Sequence, residues 1–268
     1  MTALDPRQYY LIHGSYTPNT SLIYGYQLND GTFNTTFGAK YPTPPTDPGQ
    51  NSSAKVSGSG CSGFGHLTLK NNTGVSNSAF GWSALTANNT GDSNTAVGHT
   101  SMKVNTSGSY NTAVGQQTMS ANSTGSQNVA IGYNALPRVD NGTGHTAVGS
   151  NSGSSLGSGY SNNTIIGYNA DCIGNFNTVI GSTASAKNCS NSTAIGYGAK
   201  PSQSNQVILG TSSEVVCIPG QLKIPYNNSG SPTVIGGIPT PGLMYCDDSY
   251  IYIYASTGWK RCALVSFT

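Results

Sequence analysis

A short pattern of apolar and polar positions returns along most of this chain at a nearly fixed interval. Asn94-Thr-Ala-Val-Gly98 reappears as Asn111-Thr-Ala-Val-Gly115 and as Asn128-Val-Ala-Ile-Gly132. The closing glycines stand at Gly65, Gly81, Gly98, Gly115, Gly132, Gly149, Gly167, Gly181, Gly196 and Gly210, spaced by 16, by 17 four times, then by 18, 14, 15 and 14. A second ladder, Gly74, Gly91, Gly108, Gly125 and Gly142, keeps 17 throughout. Self-similarity at such a period is the signature of short coils stacked on one another.

Inside each repeat the residue before the glycine is large and apolar: Phe64, Phe80, Val97, Val114, Ile131, Val148, Ile166, Ile180 and Ile195. Its neighbour is usually Ala, and one step earlier stands a hydroxyl residue or Val. Alternation with period two predicts a short strand with these positions on opposite faces. The branched residues are expected to form a dry ladder, with the threonines beside them pointing inward. The alanines are expected on the other face, where backbones of neighbouring chains approach. Four residues after the glycine a second apolar position, Leu69, Leu85, Met102, Met119 and Leu136, predicts a second short strand. Asn- and Gly-rich segments between them supply the turns. So small a coil has few core side chains, so stability should require stacked neighbours and lateral partners, which favours a parallel homotrimer.

Composition narrows the function. Only 7% of the 268 residues are charged, 35 are Gly, and the net charge is +2. A typical globular domain carries about 25% charged residues. No basic stripe is present to neutralise phosphates, so no nucleic-acid partner is expected. Disorder is set aside because the apolar residues keep their place in every repeat. The N-terminus shows no secretory signal, and no apolar run reaches the ~18 residues of a membrane span. The expectation is synthesis in a host cytoplasm without membrane insertion.

Residues 77–210 resemble the head repeats of trimeric autotransporter adhesins, whose phrase is Asn-Ser/Thr-x-Ala-(Val/Ile)-Gly; similar repeats occur in fibre proteins of phages and large DNA viruses. Asn177-Thr-Val-Ile-Gly181 and Ser192-Thr-Ala-Ile-Gly-Tyr-Gly-Ala199 carry the resemblance in its 14-residue form. It implies an all-β fold, a left-handed parallel β-roll assembled as a homotrimer. The repeat glycines Gly81, Gly98, Gly115, Gly132, Gly149, Gly167, Gly181 and Gly196 would be its structural corners. The adhesins' signal peptide, coiled-coil stalk and membrane anchor are not recognisable here. The expected role is therefore a structural virion fibre or capsid-decorating protein on the virion surface, mediating host attachment.

Three parts are expected. Residues 1–60, rich in Tyr and closed by Tyr41-Pro-Thr-Pro-Pro-Thr-Asp-Pro48, read as an anchoring or capping segment docking on a capsid or tail protein. Tyr9, Tyr10, Tyr24 and Tyr26 are its candidate anchor residues. Ser21–Leu28 and Thr32–Phe37 are predicted to pair across Asn29-Asp-Gly31. Residues 61–214 form the roll. Residues 215–268 resemble the small β module that closes viral and phage fibre chains, with a last strand pair expected over 215–224. Tyr250, Tyr252, Tyr254 and Trp259 are candidate contacts to a host glycan or protein; the competing reading, favoured because a small β module needs every aromatic it has, makes them the core that trimerises the module.

Catalysis finds little support. Asp247-Asp248 is the one adjacent carboxylate pair and reads as a turn, whereas a glycosidase needs two converging carboxylates. His66, His99 and His145 sit on repeat positions, expected to be exposed; a three-His metal site at a trimer axis would need them on the axis. The six cysteines match no metal pattern; a Cys246–Cys262 bridge is a minor alternative to reduced thiols. No cofactor, metal or catalytic residue is expected. The asparagines of Asn-x-Ser/Thr sequons, among them Asn71, Asn88, Asn105, Asn122, Asn141 and Asn191, do not by themselves imply glycosylation. Alternatives are a polysaccharide-cleaving tailspike, a secreted or surface adhesin, and an ice-binding solenoid suggested by Thr95, Thr112, Thr146, Thr164 and Thr178.

Overall fold

A computed structural model describes residues 22–26, 35–40, 58–217, 219, 244–246, 250–255 and 258–263. The described residues are all-β, without helix, and divide into two compact units, Met1–Val215 and Val216–Thr268.

The first unit is a parallel β-solenoid. Its strands are three residues each: β3 (Ser62–Phe64), β4 (Ser78–Phe80), β5 (Thr95–Val97), β6 (Thr112–Val114), β7 (Val129–Ile131), β8 (Thr146–Val148), β9 (Thr164–Ile166), β11 (Thr178–Ile180), β13 (Thr193–Ile195) and β14 (Val207–Leu209). They pair in parallel and in register, so Thr95 stands on Thr112, Ala96 on Ala113 and Val97 on Val114. The same sheet begins with an antiparallel hairpin, β1 (Leu22–Tyr26) with β2 (Thr35–Lys40), and β2 pairs in parallel with β3. The hairpin register sets Tyr26 opposite Thr36, two residues longer in the connection than a turn at 29–31 requires.

The predicted second strand exists only where the repeat tightens. There β10 (Asp171–Ile173) pairs in parallel with β12 (Ser185–Lys187) as a separate two-stranded sheet. In the 17-residue coils that wall is built of turns. Leu69, Leu85, Met102, Met119 and Leu136 sit there with φ between +47° and +52°, fully buried. Left-handed backbone is costly for such residues, about 1–2 kcal/mol each. It persists because it turns a large apolar side chain of each of these coils into the interior.

The strand faces are the reverse of the expectation. Ala79, Ala96, Ala113, Ala130, Ala147 and Ala194 are fully buried, while the large apolar residue one step after each faces out with the residue one step before it. The interior is too narrow for two large ladders. Leu or Met from the turn wall meets Ala from the strand wall, and where the second wall holds Cys172, Ala184 and Ala186 the strands carry Ile165 and Val179 instead. Large against small thus recurs along the coils up to Val179, as close packing demands.

The repeat glycines define the stacking distance. At Gly115 φ is +135°, and a Cβ there would lie 2.4 Å from the carbonyl oxygen of Gly132 in the next coil. Only hydrogen fits, and the same contact recurs from Gly65 through Gly181 at 2.3–2.6 Å.

In the second unit β15 (Met244–Cys246), β16 (Tyr250–Ala255) and β17 (Gly258–Ala263) form an antiparallel sheet in that order. Residues 211–217 form no strand, and the rest of the strand pair expected over 215–224 falls almost wholly outside the described residues.

Candidate functional faces

The outward face of the long sheet is the most unusual surface of the molecule. Phe64, Phe80, Val97, Ile131, Ile166, Ile180, Ile195 and Leu209 stand in one file at 36–47% exposure, with Val114 and Val148 half-buried between them. A file of ten apolar side chains, one per coil at ~4.8 Å, is continuous along the sheet. Beside it runs the file of Thr95, Thr112, Thr146, Thr164, Thr178 and Thr193, each half-buried. Soluble monomers seldom leave a contiguous apolar patch beyond a few hundred Å².

At one end this surface becomes aromatic. Phe64 stacks on Phe80 at 5.3 Å between ring centroids. Trp82 lies between His66 at 6.4 Å and His99 at 4.7 Å, all near parallel. These three residues each follow a repeat glycine, so in-register stacking alone brings them together. Both faces of the Trp82 ring are occupied. The His66 and His99 rings flank an indole rather than converging on a metal, and among the described residues no three His, Cys, Asp or Glu form a metal-sized group.

The interior is organised by amides. In one ladder each phrase asparagine accepts, through Oδ1, the backbone N–H of its counterpart in the next coil. Asn94 donates from Nδ2 to the Gly108 carbonyl at 2.8 Å, and its Oδ1 accepts Asn111 N–H at 3.0 Å. His145 takes this place in its coil and is fully buried, not exposed as expected. Its backbone N–H donates to Asn128 Oδ1 at 2.9 Å, and its Nδ1 accepts Asn163 N–H at 3.3 Å. Nε2 lies 2.9 Å from the Tyr160 carbonyl. Imidazole therefore reproduces the amide's acceptor and donor, which assigns the neutral Nε2–H tautomer. Burial pulls the His145 pKa below its ordinary 6.5, partly offset by the Tyr160 carbonyl.

A second ladder runs through Asn72, Asn88, Asn105 and Asn122, Nδ2 to Oδ1, with Asn122 donating to Asn105 at 2.7 Å. Its next position is Val139, so Asn122 Oδ1 is left without a hydrogen-bond donor. Asn88, Asn105 and Asn122 belong to sequons yet are core residues.

Cys61 and Cys172 are buried thiols held in their neutral form. Burial, with Asp171 nearby, pushes Cys172 up to about 12, and burial also raises Cys61. Cys246 and Cys262 both stand opposite Ile251, on the two strands flanking β16. Two strand spacings are ~9.6 Å, beyond the ~7 Å Cα separation a disulfide tolerates. That alternative is excluded by register.

The candidate contacts Tyr250, Tyr252 and Tyr254 lie on β16 and Trp259 on β17, and the register sets Tyr254 opposite Trp259. Their side chains lie outside the described residues, as do Tyr9, Tyr10 and Asp247-Asp248. Tyr24 and Tyr26 are placed on β1 by backbone alone. No helix among the described residues is long and apolar enough to cross a membrane. The chain matches no family model, no curated protein and no solved structure.

Proposed function

We propose that this chain is a non-enzymatic structural fibre or capsid-decorating protein of a virion, assembled as a homotrimer and used for host attachment. The observation that carries the reading is the exposed apolar file on the long sheet, Phe64 to Leu209. A solenoid that has closed its own core needs no further apolar face. A second and third copy, set in parallel and in register around an axis, would cover this one along its whole length. Three is the number implied by the resemblance of the repeat phrase to the adhesin heads, as is a left-handed roll. Assembly of identical copies about an axis also suits identical in-register files, because each contact repeats at every coil. Residues 1–60 dock on a capsid or tail protein in this reading, and residues 215–268 form the terminal β module that meets a host glycan or protein.

Light scattering on the full chain tests it. Three chain masses, falling to one in denaturant, is the expected result, followed by binding to host cells. A stable monomer would refute the assembly and with it the fibre.

The outward threonine file favours one second reading. It was expected to point inward, which told against ice binding; it points out, in a regular array at ~4.8 Å. Its apolar companion file makes half of that face water-averse. Thermal hysteresis in a monomeric protein would support ice binding, and none in an assembled one would remove it.

A further inference from the structure

Residues 58–215 hold few charged side chains, and three of them meet at one place. Asp171, Ser185 and Lys200 occupy equivalent positions in three successive coils: Ser185 pairs with Asp171, and Ser185 N–H donates to the Ala199 carbonyl. Lys187 joins them from the end of β12, its Nζ 3.1 Å from Asp171 Oδ2. Together with Ser154, Asn169 and Thr183 they line an open depression of about 530 Å³. This size lies within the range of small-ligand sites, about 300–1,000 Å³.

The charges are not equivalent. Asp171 is 5% exposed and fully engaged: Oδ1 accepts the N–H groups of Ser155 and Cys172, both at 3.0 Å, and Oδ2 takes Lys187. Its role is to hold the Lys187 ammonium in place at the rim. Lys200 is exposed and has no acidic partner among the described residues. The depression therefore keeps one uncompensated cation, surrounded by hydroxyls and one amide. At the neighbouring coil corners stand Tyr168 and Tyr197, 57% and 70% exposed, with Ser182 and Thr183 in the coil between them. Those corners are two coils apart, ~9.6 Å, about the length of two pyranose rings. All of this occurs only where the repeat shortens and the second sheet appears. The outward side of that sheet is not the face carrying the apolar file.

We infer that this depression binds an acidic sugar: a carboxylate against Lys200, ring hydroxyls against Ser154, Asn169 and Thr183. Neutral hydrogen-bonding groups beside a single excess cation suit a polyol bearing one carboxylate. A polyphosphate or nucleic acid would call for a denser run of cations. The inference rests on the attachment reading above and gives it a ligand class. It also places a contact on the flank of the solenoid rather than on the terminal aromatics.

The test uses the full chain with two oligosaccharides, sialyllactose and a trigalacturonate, each beside its carboxyl-reduced counterpart, read by saturation-transfer NMR and calorimetry. At least one acidic form should bind, with a tenfold or greater loss on carboxyl reduction. Lys200→Gln should weaken it by tenfold or more and Lys200→Arg should largely restore it, with melting temperature and native mass unchanged in both. Binding by Lys200→Gln equal to the parent's, equal binding of the reduced sugars, or no binding of either acid would overturn the site. So would inorganic phosphate competing as well as the sugars do, since that marks a general anion patch. A trimer that fails these assays overturns this site alone; a monomer overturns the fibre reading whatever it binds.

Discussion

His145 makes the solenoid sensitive to acid at one coil, and replacing it by the residue of the neighbouring coils should remove that sensitivity. Both ring nitrogens are committed, Nε2–H to the Tyr160 carbonyl and Nδ1 as acceptor from Asn163 N–H. Protonating Nδ1 would set two donors against each other in a fully buried place. The residues around it, Asn128, Asn163 and Val139, carry no charge, and Arg138 and Asp140 beside Val139 are exposed to solvent. The folded pKa is depressed, so the unfolded chain takes up the proton first. Stability is thus fully present above the ordinary 6.5 and is lost as pH falls toward the depressed folded value. While the folded imidazole stays neutral, each pH unit below 6.5 costs about 1.4 kcal/mol, or roughly 3–6 °C in melting temperature for a domain of this size. The assay is thermal unfolding of the parent and His145→Asn from pH 7.5 to 5.0. The other histidines are common to both, so the difference in slope isolates position 145. His145→Asn has a shorter reach and is expected to melt lower at pH 7.5, yet to lose less on acidification. Parallel pH profiles would refute the reasoning.

Gly115→Ala should destabilise the roll by about 3 kcal/mol or more, because the added methyl meets the Gly132 carbonyl and φ is +135°; Gly157→Ala, with open space around it, should change melting little. In the second amide ladder each substitution orphans the acceptor of the coil before, but Asn105→Val should cost about 1–3 kcal/mol more than Asn122→Val by chemical denaturation, because it also removes the Oδ1 that accepts from Asn122, whereas Asn122 Oδ1 accepts nothing. Ile131→Lys, at an exposed position of the apolar file, should leave the circular dichroism of the strands intact and convert the proposed trimer to monomer in light scattering; a retained trimer would remove that face as the interface.

The glycine and asparagine ladders made the solenoid legible in the sequence, since a period and a corner residue are local properties. Which strand face turns inward was not, because alternation defines two faces without ranking them. Ranking needs the opposite wall: Leu85, Met102 and Met119 already fill the interior, leaving room only for Ala96, Ala113 and Ala130. Those large residues suggest strand in the sequence because left-handed backbone is ordinarily left to Gly and Asn. The signal that His145 enters the ladder is its place in the Asn phrase, which a lone histidine on a repeat face does not by itself disclose. The depression at Lys200 has no signature in the chain, as Asp171, Lys187 and Lys200 are far apart until the coils stack.

The contact between Gly115 and the Gly132 carbonyl joins one coil to the next and reaches no further, and it is repeated almost without change along the stack. A whole 17-residue unit could therefore be duplicated or deleted among the equal coils without creating a junction the molecule does not already contain. Each such event would lengthen or shorten the solenoid by one step of ~4.8 Å. Reach would then be inherited as an integer, adjustable by recombination between near-identical phrases and indifferent to single substitutions.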